Sequence, residues 1–120
     1  RIRSGDVRLA DRWLRNAQRR FETLGDPVRR AEVLRIRAGA SRSRGELAEA
    51  RAWLDEAYEV ASRHSNLLLR AEVQRDRGEL FRRLGEEERA RAAYLDAANS
   101  FTRLGAQEEA EAARSAAEHP

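Results

Sequence analysis

The chain has 120 residues, 38% of them charged and 41% hydrophobic, with 24 cationic side chains, all of them Arg, against 21 acidic ones. This length allows one domain, and the balance leaves enough apolar surface for a thin core, which excludes a disordered tail. The absence of Cys excludes disulfides, cysteine zinc sites and thiol nucleophiles, and no apolar run approaches the about 18 residues that a membrane helix needs.

The Arg-rich start also lacks the apolar run of a signal peptide, so a cytoplasmic location is expected. Arg1 reads as the end of a helix, which points to a piece of a longer protein. Self-similarity organises the rest. Gly5, Gly45 and Gly85 recur every 40 residues, and the same offset relates Ala10, Ala50 and Ala90, then Leu14, Leu54 and Tyr94, then Ala17, Ala57 and Ala97. One offset kept at four positions marks tandem units of about 5–44, 45–84 and 85–120 within a single domain, 1–120.

The first predicted helix, Asp6 to Leu24, sets Ala10, Leu14, Ala17, Phe21 and Leu24 at steps of three and four, one apolar stripe. It ends at Leu24-Gly25-Asp26-Pro27: the glycine suits the left-handed position after a helix, Asp26 can accept from free N–H groups, and Pro27 needs no N–H in a first turn. The second helix runs from Pro27 to Arg44 and stops at Gly45-Glu46. The third, Glu46 to His64, repeats the stripe with Leu47, Ala50, Leu54, Ala57 and Ala61, and Ser65-Asn66 breaks it. The fourth, Asn66 to Leu84, ends at Gly85-Glu86. The fifth, Glu86 to Leu104, carries Ala90, Tyr94, Ala97, Phe101 and Leu104 and ends at Gly105. Gly5-Asp6 is read as a turn of the same kind as Gly45-Glu46.

The sixth helix, Ala106 to Glu118, has Ala106, Ala110, Ala113 and Ala117 on one stripe and Glu108, Glu109, Glu111 and Arg114 elsewhere. That is the make-up of a cap with a polar outer face. The first helix has no such device, so its stripe must be covered by preceding residues or by another molecule, a second copy included. No strand-like alternation occurs, and Ala, Arg, Leu and Glu favour helix. The expected fold is all-α, with about six helices and loops short enough to make neighbours antiparallel.

A helix pair per unit, small, large and small residues at five, nine and twelve positions after Gly5 and its equivalents, and Gly78 with Phe81 in the fourth helix make the chain resemble tetratricopeptide repeats. The resemblance covers the whole chain and implies a right-handed α-solenoid. The 40-residue period matches the long-helix variants of bacterial signalling and transcription regulators rather than the usual 34 residues. Two departures stand out. Arg37 and Arg77 occupy a position normally held by a large aliphatic, and Leu34 and Gln74 stand where the motif has Trp. The two arginines must either reach the rim or find carboxylates on an adjacent helix, with Asp55, Glu56, Glu59 and Asp96 as candidates, and a structural role is expected.

Catalytic signals are absent: no phosphate loop, no nucleophile elbow, and His64 and His119 with no Asp, Glu or His four residues away. No enzyme, cofactor or metal is expected, and the histidines read as a solvated helix end and a tail residue. Trp13 and Trp53 recur at the 40-residue offset and are expected to pack neighbouring units, so their loss should cost stability before affinity.

Charge is uneven. Residues 1–44 carry 13 Arg against 5 acids, net +8, while 45–84 net −1 and 85–120 net −4. The resemblance implies a partner protein or peptide lying along the first helix of each pair. The facing residues are Glu32, Arg35, Ile36, Gly39, Arg42 and Ser43 in one pair and Glu72, Arg75, Asp76, Glu79, Arg82 and Arg83 in the next, with Arg35, Arg42, Arg75, Asp76, Glu79 and Arg82 as the candidate contacts. Their guanidinium groups suit carboxylate or phosphate. The expected function is therefore a protein-interaction or scaffolding module, the sensory or partner-binding part of a larger bacterial regulator. Two alternatives stay open: a nucleic-acid-associated domain using the basic end, and a self-assembly segment.

Overall fold

A computed structural model describes residues 4–119, so the reading of Arg1 lies outside the described residues. They form α1 (Ser4–Leu24), α2 (Pro27–Ser43), α3 (Leu47–Arg63), α4 (Leu67–Arg83), α5 (Glu87–Arg103) and α6 (Gln107–Glu118), with no strand among them. The all-α expectation holds, and the breaks from Gly25 to Gly105 fall where the turn residues place them.

The turns follow one plan. Gly25, Gly45, Gly85 and Gly105 take φ of 65 to 80°, and Ser65 takes 49°. The next amide then donates five residues back, from Asp26, Glu46, Asn66, Glu86 and Ala106 to the carbonyls of Phe21, Ser41, Ala61, Phe81 and Phe101, at 2.8–2.9 Å. This closes the helix end. The same residue opens the next helix, since its carbonyl accepts from the amide four residues on, as Asp26 does from Arg30 and Glu46 from Ala50. Asp26 and Asn66 add side-chain caps to the amides of Arg29 and Leu69 at 3.1 and 2.9 Å. Glu46, Glu86 and Ala106 add none. The turn recurs every 20 residues, and its side-chain cap alternates over the first four turns, at Asp26 and Asn66 but not Glu46 or Glu86, and is missing at the last, Ala106.

Gly5 is a correction. Helix α1 begins at Ser4 and runs through Gly5-Asp6, which are its first turn rather than a break. Gly5 has no positive φ, and Asp6 favours a helical start by facing the positive end of the helix dipole.

Each helix packs on its chain neighbours, and α2 also meets α4. In α3, Ala50, Leu54, Ala57 and Ala61 are buried between Ala31 and Ala38 of α2 and Leu69, Val73 and Leu80 of α4. One unit on, Ala97, Ala98 and Phe101 of α5 lie between Ala71 of α4 and Ala110 and Ala113 of α6. Polar contacts repeat as well. Arg30 of α2 pairs with Glu56 of α3, and 40 residues later Arg70 of α4 holds Asp96 of α5 through two nitrogens at 3.0 and 3.1 Å. Gln74, at the motif's Trp position, is buried and satisfied, donating to Asp96 at 2.8 Å and accepting from Arg77 at 2.9 Å.

Helix α6 has the make-up of a cap. Ala110, Ala113 and Ala117 are buried, whereas Glu111 and Glu118, the equivalents of buried Ala31/Ala71 and Ala38/Gly78, are exposed. A face that receives a helix in α2 and α4 is polar in α6.

Two helical glycines separate close packing from mere permissiveness. A Cβ on Gly78 would lie 2.9 Å from three ring carbons of Tyr94, whereas one on Gly39 would meet nothing within 4 Å. Gly78→Ala should destabilise by about 1–3 kcal/mol despite Ala's better helix preference. Gly39→Ala should stabilise by about 0.5–1 kcal/mol. Denaturant melts of the pair check both signs. At the turn that lacks glycine, Ser65→Gly should raise stability by up to about 1 kcal/mol, read the same way.

Candidate functional site

The residues expected to face a partner do come together, but largely on one another. Arg35 of α2 holds Asp76 at 2.8 Å and Glu72 at 3.7 Å, Arg42 holds Glu79 at 3.1 Å, and Arg83 donates to the Arg42 carbonyl at 2.7 Å. These partners lie 37 and 41 positions apart, so α2 and α4 run side by side in one direction with their charges interleaved. Arg82 is committed elsewhere: it donates to the Ala116 carbonyl at 2.7 Å in the last turn of α6 and stacks over Tyr94 at 5.1 Å. Arg75 is the freest, 39% exposed, 3.7 Å from Asp76 and over Phe101 at 5.6 Å. Guanidinium donors read from sequence as open to a ligand are therefore mostly engaged within the fold.

The two unexpected arginines are held by rings and neighbours. Arg77 meets Asp55 of α3 at 3.2 Å, donates to Gln74 and sits over Tyr58 at 4.5 Å, while its buried Nε has no partner. Asp55 is one of the carboxylates expected for it. Arg37 lies over Trp53 at 4.3 Å and donates to Gln18 of α1. Burial first, and then the nearby Arg15, push its pKa below the usual guanidinium value. Both residues bind helices together through a delocalised charge that tolerates an aromatic face.

The tryptophans divide. Trp53 packs against the core as expected, but Trp13 is 72% exposed, which corrects the expectation that it packs a neighbouring unit. The physical reason is that α1 packs on α2 and nothing among the described residues covers its other side. None of the α1 stripe, Ala10, Leu14, Ala17 and Phe21, is buried, whereas the equivalent residues of α3 and α5 all are.

That uncovered side is a groove of about 680 Å³ between α1 and α2, lined by Trp13, Leu14, Ala17, Phe21 and Leu24 from one helix and Arg29, Val33 and Ile36 from the other. Shifted by 40 residues, the groove between α3 and α4 is the core against which α2 packs: Leu54, Ala57, Ala61, Leu69 and Val73 are at most 2% exposed there. The open groove corresponds to the surface that α2 covers one unit on, and among the described residues no helix lies in it. The stripe was legible in the sequence, but its pairing with Ile36 and Val33 was not, because those two residues come from the second helix.

Among the described residues no helix is long and apolar enough to cross a membrane, and no group of three His, Asp or Glu residues is placed to hold a metal ion. Compared with known proteins, the chain matches no family model, no curated protein and no solved structure.

Reversing one rung of the α2–α4 ladder tests its role. Arg35→Glu would face Glu72 and Asp76 and should destabilise, and adding Asp76→Arg should recover part of the loss. The coupling should be about 0.5–1 kcal/mol for these partly buried groups, read from a double-mutant cycle of urea melts.

Proposed function

We propose that the chain is a protein-interaction module of tetratricopeptide-like design, its helix hairpins stacked in a right-handed solenoid, and that it receives a helical segment of a partner protein in the groove between α1 and α2. The observation that carries this reading is the exposure of Trp13, Leu24 and Ile36, at 72%, 65% and 52%, in a groove whose internal equivalent is filled by α2. An apolar patch gathered in one concavity and rimmed by arginine is the make-up of a docking surface. The resemblance to long-helix regulator repeats supports the same role, a partner-binding part of a larger regulator.

A second reading has its own support. Arg8, Arg12, Arg15 and Arg19 are exposed at helical spacing along α1, and among the described residues none is in an ion pair. Such a stripe suits phosphates, and nucleic-acid binding of this kind would weaken steeply with salt and discriminate little between sequences.

Site-specific photo-crosslinking separates the surfaces. A crosslinking residue at Trp13 should trap segments of a partner protein in the cell of origin, and one at Arg75, on the α2–α4 face, should trap none. The reverse pattern would return the docking surface to the inner face, and crosslinks to nucleic acid alone would favour the second reading.

A further inference from the structure

The repeat offers an internal comparison that identifies the chemistry of what fills the open groove. In the filled groove two acids receive arginines of the occupying helix: Glu56 pairs with Arg30 of α2, and Asp76 pairs with Arg35 at 2.8 Å. One unit further, Asp96 does the same for Arg70 of α4. The positions equivalent to Glu56 and Asp76 in the open groove are Asn16 and Ile36, both neutral. Conversely, Val60 and Leu69, buried in the filled groove, are replaced in the open one by Arg20 and Arg29. The groove has lost the acids that hold an arginine helix and gained two cations where a lodged helix would press. Arg20 has no ion-pair partner among the described residues, and Arg29 is 67% exposed with only Asp26 at 3.4 Å.

Resting on the reading of this groove as a helix-docking site, we propose that its occupant is an amphipathic helix of a partner protein whose apolar stripe covers Trp13, Leu24 and Ile36 and whose flanks carry Asp or Glu against Arg20 and Arg29. A helix patterned like α2 or α4 does not fit, because these carry Arg30 and Arg35, or Arg70 and Arg75, where the open groove offers only Asn16 and Ile36. Neither does a second copy bring a suitable helix: α6 is acidic but its apolar stripe is buried on α5, and two α1 faces would oppose arginine to arginine. Covering cations with an apolar helix would leave them desolvated and unpaired, whereas carboxylates convert that cost into charge-assisted hydrogen bonds.

Two labelled peptides test this by fluorescence anisotropy on the intact protein. One has the α2 sequence, residues 27–43, and the other is the same peptide with Arg29, Arg30, Arg35, Arg37 and Arg42 replaced by Glu. The acidic peptide should bind and the α2 peptide should not. Trp13→Ala should weaken the acidic peptide about tenfold or more, and the double variant Arg20→Glu/Arg29→Glu should do the same while making the α2 peptide the better ligand. All three residues are exposed, so thermal melts of the variants should stay at the parent value. Failure of the acidic peptide to bind, or equal binding of both peptides, would overturn the proposal. Loss through Trp13→Ala with no response to the arginine reversal would reject the acidic partner and leave the groove standing. No effect of Trp13→Ala would reject the groove itself. Concentration-dependent dimers abolished by Trp13→Ala would assign the groove to a second copy.

Discussion

A helix whose apolar stripe is too wide for one neighbour has to be packed from two sides, and the whole fold answers to that constraint. Helices α3 and α5 meet it within the chain, each held between the helix before and the helix after. Their Ala-rich stripes allow close approach, and a few large residues, Leu54 in α3 and Tyr94 and Phe101 in α5, fill what the alanines leave. Among the described residues helix α1 carries the same stripe with one neighbour only, so the demand that is met in the middle of the structure is left unmet at its edge.

The cationic side of the sequence is all arginine, and the structure uses the properties that separate arginine from lysine. Guanidinium groups lie over Trp53, Tyr58, Phe81 and Tyr94, where a compact ammonium would stay strongly hydrated. Others bridge helices that are not adjacent in sequence, as Arg35 and Arg42 do between α2 and α4. Arg30 reaches both Glu22 of α1 and Glu56 of α3, and its hydrogen bond holds the Glu22 carboxyl below the usual carboxylate range. A polar and a stacking contact are combined in single side chains, which lets a thin core of alanines be braced from its rim.

The uneven charge along the chain then acquires a structural meaning. Most arginines of the middle unit are neutralised by acids brought to them by the repeat, whereas among the described residues Arg8, Arg12, Arg15, Arg19 and Arg20 of the first 44 have no such partners and sit on α1. The polarity of the molecule follows from which rungs of the ladder have both partners. An acidic helix docking at α1 would supply the missing half, at a surface where Trp13, Leu24 and Ile36 are also left exposed.

The sequence by itself determined the local structure: six helices, their turn residues, the 40-residue period and the polar cap, because helix ends and stripes are set by neighbours within four residues of one another. It also carried the warning that the first stripe needs a cover. What it could not carry was which charges cancel. Arg35 and Asp76, or Arg82 and the Ala116 carbonyl, are 41 and 34 positions apart, and they meet only when the hairpins pack. Residues that read as a ligand-facing row were therefore turned into bracing, and Trp13, read as packing, was left in the open. Tertiary structure decided both, since exposure and ion pairing depend on the register of helices that are distant in the chain.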